Sequence, residues 1–120
     1  MSDELYKYKL EIILEHIHVV QKRFTTIATP SDFVATEEGK ILLDSIVTRL
    51  QAIGENCKNI LNKKTLNTLD YPEIQWDKII RFRDFISHHY EMLDYEIVFE
   101  ICENNIPLLE NAFLKELQKY

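Results

Sequence analysis

Two glycines and three prolines are all that punctuate this chain of 120 residues, and that scarcity of breakers is the strongest constraint on its fold. Tight turns draw on glycine, proline and short polar clusters, so a chain with so few must run in long elements. Leu, Ile, Glu and Lys are abundant and suit helices. Apolar residues recur at intervals of three and four rather than two, the period of a helix with one buried face. Short runs such as YEIVFEI keep helical neighbours and lack flanking turns, so no strand is expected.

The first helix is expected over residues 3–26. Ser2 caps it, Asp3 and Glu4 sit at the positive end of the helix dipole, and Leu10, Ile13, Leu14, Ile17, Val20 and Phe24 form its inner face. Residues 25–35 connect, with a short helical turn beginning near Pro30-Ser31-Asp32. The second long helix runs from Thr36 or Glu37 to about Leu61. Its inner stripe is Ile41, Leu42, Ser45, Ile46, Leu50, Ile53, Cys57, Ile60 and Leu61. Gly54 lies inside that stripe, where it weakens a helix by roughly 1 kcal/mol relative to alanine, so a neighbouring helix is expected to approach closely there. After a polar connector, a third helix covers Trp76 to about His88. A last helix, capped by Asp94, runs to about Leu117, and Pro107 should kink or split it. The expectation is an all-α antiparallel bundle of four to five helices in a single domain, residues 1–120.

Composition narrows the function. No apolar run approaches the ~20 residues that span a bilayer, and the acidic start MSDELYKYKLEII lacks the pattern of a leader peptide. Cys57 and Cys102 lie far apart, form no metal or redox motif, and read as reduced structural residues of a cytoplasmic protein. The formal net charge of −6 argues against a broad nucleic-acid surface. Within residues 78–90, however, Lys78, Arg81 and Arg83 face only Asp84, a local excess of two positive charges.

That excess falls on the segment RFRDFISHHY, residues 81–90. Arg81, Asp84 and His88 share one helix face, while Arg83, Ser87 and Tyr90 share another. Arg83 and His88 are five apart, about 140° around an ideal helix. They converge only if the helix ends near His88 or if two copies meet across a two-fold axis. Arginine matches a phosphate with a planar fork of donors, and histidine exchanges a proton near neutral pH. Together they suffice for RNA cleavage without a metal. The structural alternative is Arg83 in a salt bridge, His88 near a helix C-terminus and Tyr90 half-buried. Asp84 and His88 could give two metal ligands, but no third is evident. His16 and His18 point to opposite sides of their helix, and Lys63-Lys64 reads as solvated loop charge.

The wider pattern is W-x-x-I-x-x-x-R-x-x-x-x-H-x-Y, carried by Trp76, Ile79, Arg83, His88 and Tyr90. Tyr71-Pro72-Glu73-Ile74 precedes it, and Ile53-Gly54-Glu55 lies upstream. With these landmarks the chain resembles the HepT family of HEPN-domain proteins, from about Leu10 to Leu117. The resemblance implies a homodimer, or a higher oligomer, whose motifs meet at the subunit interface. It implies a metal-independent ribonuclease toxin of a type VII toxin–antitoxin module, with Arg83 and His88 catalytic. The partner it implies is an MntA-like minimal nucleotidyltransferase, which uses ATP to place AMP on the motif tyrosine, here Tyr90. The toxin itself would need no cofactor. Asp84 stands where such sequences often have Asn; Arg81, Asp84 and His89 are candidate supporting or phosphate-contacting residues. The alternative is a non-catalytic helical partner of the nucleotidyltransferase.

Overall fold

The computed structural model describes residues 1–120. Helix α1 spans Asp3–Phe24, and Ser2 Oγ accepts the Leu5 N–H at 3.1 Å, the cap expected from sequence. The helix stops two residues before the expected end at residue 26, on the last residue of its apolar face, where Thr25 turns its hydroxyl back onto the Lys22 carbonyl. The connector is fastened by Asp32, whose carboxylate accepts the Thr29 and Ala28 N–H groups at 2.9 and 2.8 Å, just ahead of the one-turn helix α2, Asp32–Ala35. Those backbone bonds hold its carboxyl below the usual aspartate range.

Helix α3 spans Glu37–Asn62 and is capped by Thr36, which accepts the Gly39 N–H at 2.9 Å. At about 1.5 Å per residue its 26 residues cover most of the molecule's 45 Å length. Gly39 is a clearance position: a Cβ there would stand 2.1 Å from the Asp32 carbonyl oxygen. Ile41 departs from the expected inner stripe and is 60% exposed. It lies five residues, about 140°, from Ile46, and Val47 fills the core instead. The helix ends on Lys64 at φ 53°, with Thr65 N–H bonded to the Ile60 carbonyl and Lys64 N–H to that of Leu61. This is the αL termination that usually carries glycine.

Helix α4 spans Trp76–His89 and packs chiefly along α3. A 3₁₀ turn, Tyr90–Met92, leads to α5, Tyr95–Glu100, which Asp94 caps through the Glu96 N–H at 2.8 Å. The expected break before Pro107 takes the form of a π-helical turn, Ile101–Asn105, after which α6 runs over Ile106–Leu117. Proline has no N–H and its ring crowds the preceding turn; widening that turn by one residue relieves both problems.

These helices form the expected all-α bundle, with no strand. Helices α3 and α6 both pack on α1, and the buried apolar side chains make one continuous cluster. No helix is long and apolar enough to cross a membrane. One buried charge ties the ends together. Glu116 of α6 is 2% exposed and accepts the hydroxyls of Tyr6 and Tyr71, each at 2.6 Å, while Lys119 reaches it at 3.0 Å. Burial pushes the Glu116 pKa up, but the three donors outweigh it and leave the carboxyl below its ordinary range. Cys57 and Cys102 are free, and burial pushes both thiols up to about 12, so they stay protonated and inert.

Candidate active site on the α3–α4 seam

Asp44, Gln51, Glu55 and Lys58 are separated by seven, four and three residues, so they form a polar stripe along α3. Arg83, Ser87 and Tyr90 make the matching stripe near the end of α4, at the spacing expected from sequence. The two helices run antiparallel and the stripes meet in order. The Tyr90 hydroxyl donates a short hydrogen bond to Asp44. Gln51 Nε2 donates to Ser87 Oγ at 3.0 Å, and Ser87 Oγ donates in turn to the Arg83 carbonyl at 3.1 Å. Arg83 Nη2 pairs closely with Glu55, and its Nη1 donates to Asp84 at 2.8 Å. Lys58 stands 3.8 Å from the same Asp84 oxygen.

Gly54 permits this seam. A Cβ on it would lie 2.5 Å from Arg83 Cβ and 3.0 Å from Cγ. The close approach expected from sequence is therefore made by the stem of the candidate arginine itself. Arg83 keeps 24% of its side chain exposed, and its Nε is buried without a partner. The Asp84 hydrogen bond raises its pKa further, so it is permanently charged. The bond to Arg83 lowers the Asp84 pKa, as do the nearby Lys58 and His88 charges. Tyr90 is raised to about 12, first by its bond to Asp44 and then by partial burial.

His88 sits apart from this network. Helix α4 continues through His89, so the register holds and His88 stays five positions from Arg83. The local unwinding that could bring them together within one chain begins only at Tyr90. His88 is exposed beside the ring of His89, at 6.5 Å between centroids, and His89 packs on Phe85 at 5.4 Å. The carboxylate of Asp84 is engaged by Arg83 rather than by His88. Arg81 forms an i, i+4 pair with Asp77 at 2.9 Å on the outer face of the helix. The positive excess counted along residues 78–90 is thus offset in space: Arg81 and Arg83 meet Asp77, Asp84 and Glu55.

Elsewhere, His18 pairs with Glu110 at 2.9 Å and His16 Nδ1 lies 3.0 Å from Arg49, both away from the seam. No three His, Cys, Asp or Glu side chains cluster closely enough to hold a metal ion. Sequence reasoning missed Asp44 as a site residue and quoted Glu55 only as a landmark. The helical spacing of Asp44, Gln51, Glu55 and Lys58 along one side of α3 was the available signal.

Comparison with known proteins points to one family. The family described as "Ribonuclease HepT-like" matches residues 13–116. A Thermococcus cleftensis protein named "Probable ribonuclease HepT" is 32% identical over 111 residues, covering 92% of this chain and 94% of that protein. A Caldanaerobacter subterraneus protein named "Putative RNase" is 30% identical over 110 residues, 92% of each chain. A Methanocaldococcus jannaschii protein, "Gamma-glutamylcyclotransferase and putative RNase", is 28% identical over 113 residues; the match covers 94% of this chain but only 48% of that longer protein. No solved structure matches. The match over residues 13–116 of this all-helical bundle makes the chain a member of the ribonuclease HepT-like family.

Proposed function

We propose that the chain is a metal-independent endoribonuclease, the toxin of a type VII toxin–antitoxin module acting in the cytoplasm. The observation that carries this reading is the seating of Arg83 on the α3–α4 seam with His88 exposed on the last turn of the same helix, in a member of a ribonuclease family. In the proposed reaction, His88 takes the proton of a ribose 2′-hydroxyl. The 2′-oxygen bonds to phosphorus as the P–O5′ bond breaks, leaving a 2′,3′-cyclic phosphate. Arg83 stabilises the charge that builds on the five-coordinate phosphorus, and a second histidine protonates the departing 5′-oxygen. His88 lies well around the helix from Arg83, so the reading calls for a homodimer that brings the motifs of two copies together. Tyr90 is the proposed acceptor of AMP from an MntA-like nucleotidyltransferase that uses ATP. The adduct would place a phosphate and a bulky base at the seam, and its charge would compete with RNA for Arg83.

The test compares wild type with Arg83→Ala and His88→Ala on RNA in the presence of EDTA. Losses of ~10²-fold or more in both variants are expected. A His88→Ala protein that cuts as fast as wild type would end the catalytic assignment. A second reading, a non-catalytic partner of the nucleotidyltransferase, draws on the net charge of −6 and on the two carboxylates already bound to Arg83. It predicts a stable complex with the nucleotidyltransferase and no cleavage.

A further inference from the structure

Arg83 is held on three sides. Asp84 takes Nη1, Glu55 takes Nη2, and the α3 backbone at Gly54 lies against its Cβ and Cγ. This arrangement is costly. A buried donor without a partner costs about 1–3 kcal/mol, and the Arg83 Nε is one. A glycine inside a helix costs about another 1 kcal/mol. Local features that reduce stability are expected where geometry, not stability, is the object. The fixed guanidinium still has N–H groups left over: five in all, with one accounted for by each carboxylate and Nε buried. The remaining Nη hydrogens are free to meet an outside anion.

We infer that Glu55, with Gly54 before it, is a positioning residue that aims Arg83 at the scissile phosphate. This rests on the ribonuclease reading above. Glu55 touches neither RNA nor the reacting atoms. It fixes the plane of the guanidinium so that its free edge is already oriented when the phosphate arrives, and no rotamer search precedes the transition state. Lys58 offsets one of the two bracketing carboxylates through its approach to Asp84. The opposite possibility is that Glu55 merely blocks Arg83 and RNA must displace it. The two differ in sign: a blocker's removal speeds cleavage, whereas a positioner's removal slows it.

The experiment uses the full chain and a mixed-sequence single-stranded RNA carrying a fluorophore and quencher, with Glu55→Ala, Glu55→Gln, Gly54→Ala and Arg83→Ala beside wild type. For Glu55→Ala we expect kcat to fall ~10–100-fold with KM little changed, the scale of a small misplacement of a catalytic group. Glu55→Gln keeps an acceptor oxygen for Nη2 and should recover most of that loss. In parallel, the ¹⁵N-labelled proteins report the Arg83 Nε–H resonance, identified by its loss in Arg83→Ala. It should be slow to exchange in wild type and Glu55→Gln and broadened in Glu55→Ala, while the rest of the spectrum stays native. Glu55→Ala cleaving as fast as or faster than wild type, with Arg83→Ala inactive, would overturn the positioning role and leave the ribonuclease reading standing. An Arg83 Nε–H signal unaltered by Glu55→Ala would overturn it without reference to activity. Wild-type protein that cuts no RNA would remove the ribonuclease reading and this inference with it.

Discussion

Three tyrosines in this protein spend their hydroxyls on carboxylates, and the consequence is measurable in alkali. Tyr6 and Tyr71 donate to Glu116, and Tyr90 donates to Asp44. Burial, then the Glu116 bond, pushes Tyr71 up to about 12; the Asp44 bond, then burial, pushes Tyr90 to about 12; Tyr6 is raised by the same causes as Tyr71. A phenolate beside a carboxylate is disfavoured, so the folded state holds the neutral phenol more tightly than the unfolded chain does. That contribution to stability is complete below the ordinary tyrosine value of 10.0 and is lost as pH rises through about 12. Asp44→Asn should therefore bring the Tyr90 titration, followed by the ring carbon resonances, down from about 12 toward 10 while Tyr71 stays where it is. A Tyr90 titration unmoved by Asp44→Asn would mean that the seam does not hold its hydroxyl in solution. That Arg83, Ser87 and Tyr90 share a face was legible in the sequence because their spacing is local. Asp44 and Glu116 were not, because each is one of 20 acidic residues and its partners lie 45 to 110 residues away.

At the scale of elements, helix starts were legible because capping is local: Ser2, Thr36 and Asp94 each bond an N–H two or three residues ahead. Helix ends and irregularities were less so. Pro107 announced a break, but whether the chain would kink, split or widen into the Ile101–Asn105 π turn depends on how α5 and α6 both reach the core. Gly39 and Lys64 show how tertiary contact can reverse a propensity. Alanine is the better helix former, yet Gly39→Ala would drive a methyl to 2.1 Å from the Asp32 carbonyl oxygen, a backbone atom that can move only with α2. A loss of ~1–3 kcal/mol is expected, the scale of overpacking. Lys64 at φ 53° bears the opposite burden, since an L-residue in that region is strained where glycine is not. Lys64→Gly should be neutral to stabilising, by up to ~1 kcal/mol after the added freedom of the unfolded chain is counted. Urea denaturation of the two variants checks both signs. A stable Gly39→Ala protein would show that α2 is not pressed against α3.

Across the whole molecule, charge decides how this bundle could touch RNA. The chain carries −6, and its cations near the seam are matched by acids: Arg81 by Asp77, Arg83 by Glu55 and Asp84. A linear charge count over residues 78–90 saw a positive spot because Glu55 is distant in sequence and Asp77 lies one residue outside the window. The fold brings both acids in. An acidic body with paired cations can release few counterions from a polyanion, so binding should depend only weakly on salt. For single-stranded nucleic acid the slope of log K against log salt is about −0.7 per phosphate contacted. One to three contacts by Arg83 and its neighbours therefore predict a slope of about −1 to −2. Fluorescence anisotropy of a labelled RNA with the His88→Ala protein, over a series of salt concentrations, measures it without cleavage. The Arg83→Ala change on that background should flatten the slope by about 0.7, one phosphate's worth. A slope steeper than about −4 would require a basic surface that one chain lacks; the positive charge would then have to be assembled from more than one copy, with the acidic faces turned away from the RNA.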